Sequence, residues 1–89
     1  MALEIVLHNQ DLDDLLVDVR DLNLGGQFIL NGFTLPQSQL FKILVQENSS
    51  GSTGNIKWRA ARVSDPDTAS ERSVEVSPAN TVELSANFE

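Results

Sequence analysis

The sequence predicts an all-β fold, a small antiparallel β-sandwich or partly open barrel, and three observations carry that expectation. Apolar and polar residues alternate over most of the chain, the period of a strand with one buried face. Turn-forming Gly, Pro, Asn, Asp and Ser divide the alternating runs at intervals of roughly 8 to 12 residues. The runs, seven or so, show no fixed repeat of the kind that builds solenoids or propellers.

The segment "LEIVLHN" sets Leu3, Ile5 and Leu7 on one side and Glu4, Val6 and His8 on the other, a first half-buried strand. "NQDLDDLLVDVRDLNLGG" admits two readings. Leu12, Leu15, Leu16, Val19 and Leu22 follow helical spacing between an Asn/Asp-rich start and Gly25, whereas Leu15, Val17 and Val19 alternate with Leu16, Asp18 and Arg20 as in a strand. The strand is preferred because the later runs need sheet partners; the alternative is an α+β fold with helices near 11–22 and 37–47.

In "QFILNGFTL", Asn31-Gly32 between apolar runs predicts a tight hairpin of type I′, whose two central residues need positive φ. Phe28 and Phe33 flank it, and at least one is expected to fold inward. After Pro36, "QLFKILVQE" alternates Phe41, Ile43 and Val45 with Leu40, Lys42 and Leu44. In "NIKWRAARVS", Ile56, Trp58 and Ala60 alternate with Lys57, Arg59 and Ala61, so the "ENSSGSTGN" tract between these runs reads as a long hairpin loop. Asp65-Pro66-Asp67-Thr68 reads as a turn, followed by strands in "SVEVS" and "TVELSANF" parted by Ser77-Pro78-Ala79-Asn80. Val74, Val76, Val82 and Leu84 are expected to share the inward face.

This pattern resembles immunoglobulin-like sandwiches in general shape. The Cys, Trp, Cys framework of that family is missing, so no residue is carried over from it.

At 89 residues the chain has the length of one β domain, 1–89, and splitting it at Ser50 would leave two halves with too little apolar surface to fold alone. It contains no cysteine, so packing rather than disulfides must hold it together. The net charge of −7 disfavours nucleic acid and anionic membranes as partners. Residues 1–41 carry one Arg against six acids, 42–62 four bases against Glu47, and 63–89 Arg72 against six acids, a basic middle between acidic flanks. No signal peptide is visible at the start, which makes the cytoplasm the default location unless a leader has been removed.

Chemistry-bearing constellations are sparse. His8 is the only histidine, and an isolated strand histidine beside an Asn is an ordinary edge residue more often than a base for a Ser or Thr nucleophile. Gly25-Gly26 precedes a strand rather than a helix, and "GSTG" lacks the Lys that reaches a phosphate. No cofactor is expected. Asp11, Asp13, Asp65 and Asp67, in two Asp-rich turns, are the candidate Ca²⁺ ligands, since Ca²⁺ takes hard oxygens from such turns. Their spacing is not that of an EF-hand loop, and solvated or capping carboxylates are the plainer reading. Trp58 between Lys57 and Arg59 suggests a stacking platform, but it shares its face with Ile56 and Ala60 and is therefore expected in the core.

These residues point to a non-enzymatic module acting through protein contacts, structural or self-associating. The alternative is a loop-mediated binding or adhesion module, carbohydrate-binding or Ca²⁺-assisted, using residues 9–14, 48–55 and 64–71.

Overall fold

The computed structural model describes residues 2–48 and 51–86. Seven strands run in the order β1 (Ala2–Asn9), β2 (Leu15–Asp21), β3 (Gln27–Leu35), β4 (Leu40–Gln46), β5 (Gly54–Arg62), β6 (Asp65–Val76) and β7 (Thr81–Leu84), with one 3₁₀ turn over Leu22–Leu24. They form two sheets, one of three strands in the order β4-β1-β7 and one of four in the order β3-β2-β5-β6. The all-β sandwich expected from the sequence is the fold. The segments 11–22 and 37–47 of the helical alternative hold β2 and β4 instead.

Period-two alternation decides the packing. Leu3, Ile5 and Leu7 of β1, Leu15, Val17 and Val19 of β2, Ile43 and Val45 of β4, and Ile56, Trp58 and Ala60 of β5 all turn inward and form one core with Val76, Val82 and Leu84. Chain from both sides of the Ser/Gly tract thus fills a single interior. Trp58, 1% exposed, is the largest side chain buried there. Its neighbours Lys57 and Arg59 turn outward and pair with Glu71 at 3.2 Å and Asp18 at 3.9 Å. Phe33 packs inward, while Phe28 is exposed beneath the Arg20 guanidinium, 4.0 Å from its ring centre.

Four local expectations need correction. Asn31-Gly32 does not turn the chain: it lies within β3, where it and its partner Asp18 form a bulge between the pairs Val17–Phe33 and Val19–Leu30. Only Gly32 takes positive φ, +72°, and its N–H donates to Asp18 at 2.6 Å, so the glycine's freedom serves the bulge. The β2–β3 hairpin turns earlier, through the 3₁₀ turn and Gly25-Gly26, closed by Gly26 N–H donating to Asp21 C=O at 3.0 Å.

The Ser/Gly tract is not a hairpin loop, because β4 pairs with β1 and β5 with β2 and β6 in the other sheet. Its flanks lie in different sheets, and Asn48 N–H donates to Thr53 C=O at 2.7 Å. At Gly54 the sheets approach closely: a Cβ there would lie 2.7 Å from Val45 and 3.0 Å from the Gln46 carbonyl.

Asp65-Pro66-Asp67-Thr68 belongs to β6, which begins directly after a two-residue turn at 63–64 because Arg62 already pairs with Asp65. β6 is an edge strand, where proline's missing N–H breaks no ladder. Finally, the sheets are not wholly antiparallel: β1 and β7 run parallel, Val6 to Thr81 through Asn9 to Leu84. The turn at 77–80 carries the chain from one sheet to the other, so β7 is free of the hairpin constraint that forces neighbours antiparallel. The Phe88 end of "TVELSANF" lies outside the described residues.

Candidate functional site

The two sides of the sandwich are built differently. On the side of the edge strands β3 and β4, Phe33 and Phe41 meet with ring centres 4.5 Å apart, and Asp21 and Asn23 pin Gln46. Asp21 accepts from Gln46 N–H at 2.8 Å, and the Asn23 amide donates to Gln46 C=O at 3.0 Å. On the side of β6 and β7 the sheets part around a cleft of about 500 Å³. Trp58, Val74, Val76 and Val82 give it an apolar lining, and Gln10, Arg72, Glu75, Asn80, Thr81 and Glu83 a polar one.

Register explains the lining. Trp58 of β5 pairs with Arg72 of β6, Ile56 with Val74 and Gly54 with Val76, so Arg72, Val74 and Val76 share the inward face of β6. From Val76 to Arg72 that face emerges from burial into solvent, because β7 does not extend far enough to cover it.

β7 is tied down at both ends. At one end Asn80 N–H donates to Ser77 C=O at 3.0 Å, and Ala79 N–H to Glu4 C=O at 2.8 Å. At the other, Asp11 accepts from Arg62 Nε at 2.8 Å, Ser85 Oγ at 3.0 Å and Ala86 N–H at 3.0 Å, joining the chain after β7 to the end of β5. The cleft is a window between these two clasps.

Burial pushes the Asp11 carboxyl upward, but hydrogen bonds from Arg62, Ala86, Ser85 and Leu12 outweigh it and hold the group at about 2 against an ordinary 3.8. Its partner Arg62 is held above its ordinary value, first by the hydrogen bond to Asp11.

Of the four aspartates singled out in the sequence, Asp11, Asp13 and Asp65 lie around Arg62 of this clasp, and Asp67 is placed by its bond to Asp65. Asp11 is buried on Arg62; Asp13 lies 4.0 Å from Arg62 and accepts from Ser64 Oγ at 3.2 Å; Asp65 accepts from Asp67 N–H at 3.3 Å. Arg62 supplies the cation among them, and no group of three or more His, Cys, Asp or Glu among the described residues is placed to hold a metal ion. His8 faces out of the three-stranded sheet with Nδ1 2.6 Å from a Glu83 oxygen.

Of the cleft's lining, Trp58 was legible as a core residue, but Arg72, Glu75 and Glu83 were not singled out. The available signal was Arg72 on the same parity as Val74 and Val76, a cation at a core-facing position. Compared with known proteins, the chain matches no family model, no curated protein and no solved structure. Among the described residues no helix is long and apolar enough to cross a membrane.

Proposed function

We propose that this chain is a non-enzymatic module that works through protein contacts made at the open β6/β7 side. One observation carries the reading: a cleft of about 500 Å³ with buried Trp58 at its base, bordered by two edge strands. That volume lies in the range of ligand clefts, roughly 300 to 1,000 Å³, and its mixture of apolar floor and convergent polar groups suits recognition. Edge strands add main-chain donors and acceptors for an incoming polypeptide. The lining holds one cation, two carboxylates, two amides and a hydroxyl, a set of donors and acceptors suited to polar recognition.

The test is selection of random peptides displayed on phage against the immobilised protein, followed by measurement of the enriched sequences on Val74→Arg, which fills the cleft. Enriched peptides should lose at least about tenfold in affinity on the variant, a difference of about 1.4 kcal/mol. Equal binding to the variant, with its thermal melt unchanged, would defeat the reading.

A second reading, self-association, is favoured by Leu40 and Leu44, each 62% exposed on the outer face of edge strand β4. Lys42 between them guards that edge against strand pairing, which leaves the face rather than the edge as the contact. Light scattering coupled to size exclusion decides: a mass above 9.8 kDa that returns to 9.8 kDa in Leu44→Lys supports it, and 9.8 kDa at every concentration removes it.

A further inference from the structure

We infer that the occupant of the cleft is a single extended segment of another protein, apolar on its inward face and basic on its outward face, which adds to β7 as a fourth strand of the three-stranded sheet. This rests on the reading of the open side as the contact site and specifies what fills it.

Phe33 and Phe41 bring β3 and β4 together, so the sheets are flush on that side. The three strands β4, β1 and β7 cover the four-stranded sheet incompletely: on β6 the inward Val76 is buried in the core, whereas Val74 and Arg72 emerge towards solvent. The cleft lies where that cover is incomplete: its walls are Val82 of β7 and the inward Arg72, Val74 and Val76 of β6, and Trp58 of β5 is its floor.

The main chain of β7 is set to receive a strand. Val6 N–H donates to Asn80 C=O at 2.8 Å and Gln10 N–H to Leu84 C=O at 2.9 Å, so the carbonyls of residues 80 and 84 turn to β1. Main-chain direction alternates along a strand, and Thr81 and Glu83 therefore present theirs to the open edge. β6 is the poorer receiver, carrying Pro66 between Asp65 and Asp67 at its start and Glu71, Arg72 and Glu75 further along.

The overhang of β6 selects the kind of occupant. A second copy pairing β7 to β7 about a twofold axis would bring its own β6 under the shared β7 edge, against the overhanging β6 already there. A sandwich of the same shape is excluded, and a lone segment is admitted. Its inward side chains would face Val74, Val76 and Trp58, and its outward ones would sit beside Glu83. The two bordering strands carry Asp65, Asp67, Glu71, Glu75 and Glu83 against Arg72, on a chain of net charge −7, so a basic outer face is attracted.

The probe is a capped peptide of about nine residues alternating Val with Lys, long enough to span β7. Two analogues carry N-methyl groups, one at every Val and one at every Lys, so that each blocks one edge of the peptide. Amide exchange at Thr81 and Glu83 should slow by at least about tenfold with the parent peptide at about 1 mM. One methylated analogue should keep this effect and the other lose it, and a Val/Glu peptide should bind at least about tenfold more weakly.

Equal binding by both methylated analogues overturns strand addition while leaving the cleft as a contact site, whose own failure is read separately on Val74→Arg. No slowing with the parent peptide overturns the inference. Slowing only after residues 87–89 are removed would make the chain's own end the occupant and overturn it too.

Discussion

The two long sides of this sandwich solve the same problem in opposite ways. Both are bordered by edge strands whose inner faces must be shielded from water. The β3/β4 side is shut by the Phe33–Phe41 pair and by Asp21 and Asn23 on Gln46. The β6/β7 side is clasped at its ends, by the 77–80 turn and by Asp11 on Arg62, Ser85 and Ala86, and between them the sheets part around the cleft. With four strands in one sheet and three in the other, the inward face of β6 is left partly uncovered from Val74 to Arg72. A site can thus arise from strand count alone, with no loop built for it.

The largest effect that sharpens this comparison is Trp58→Ala. Trp58 is buried and forms the floor of the open side, so its removal should cost about 3 to 5 kcal/mol in urea unfolding. A cost under about 1 kcal/mol would mean that the floor is already wet and the cleft deeper than described.

The next effect is the Asp11 clasp. The folded carboxyl titrates at about 2 and the unfolded one near 3.8, so the unfolded chain binds the proton more readily. The stabilisation is therefore complete above the unfolded value and is lost as pH falls towards the folded one. It amounts to roughly 2 kcal/mol. Asp11→Asn should lower neutral-pH stability by about that amount and flatten the acid limb of a stability–pH curve. An unchanged acid limb would place the sensitivity elsewhere.

The smallest of the three concerns the closed side. A double-mutant cycle on Phe33→Leu and Phe41→Leu should give a coupling of about 0.5 to 1.5 kcal/mol, the usual worth of an aromatic pair beyond burial. Coupling near zero would remove the distinction between the two sides.

How much of this was legible beforehand follows from what periodicity encodes. Alternation in β1, β2, β4 and β5 named the buried faces, because a half-buried strand obeys period two wherever its pairing is regular; Ala61, expected outward, is buried at the irregularity between Ala60 and Arg62. The same alternation says nothing about partners, so the Ser/Gly tract looked like a hairpin although its flanks lie in different sheets. Asn31-Gly32 misled for a related reason: a glycine's positive φ serves a bulge as well as a turn, and only the Asp18 partner distinguishes them. The cleft was out of reach because it depends on the number of strands in each sheet. Arg72 on an apolar parity was its one local trace.

The central claim is that the β7 edge at the open side is uncovered, and native-state amide exchange across residues 80–84 tests it most directly. Val82 and Leu84, whose N–H groups turn towards β1, should be protected by at least about a hundredfold over Thr81 and Glu83, which should exchange near the rate of an open chain. Equal protection at all four residues would show the edge already covered and would contradict the account.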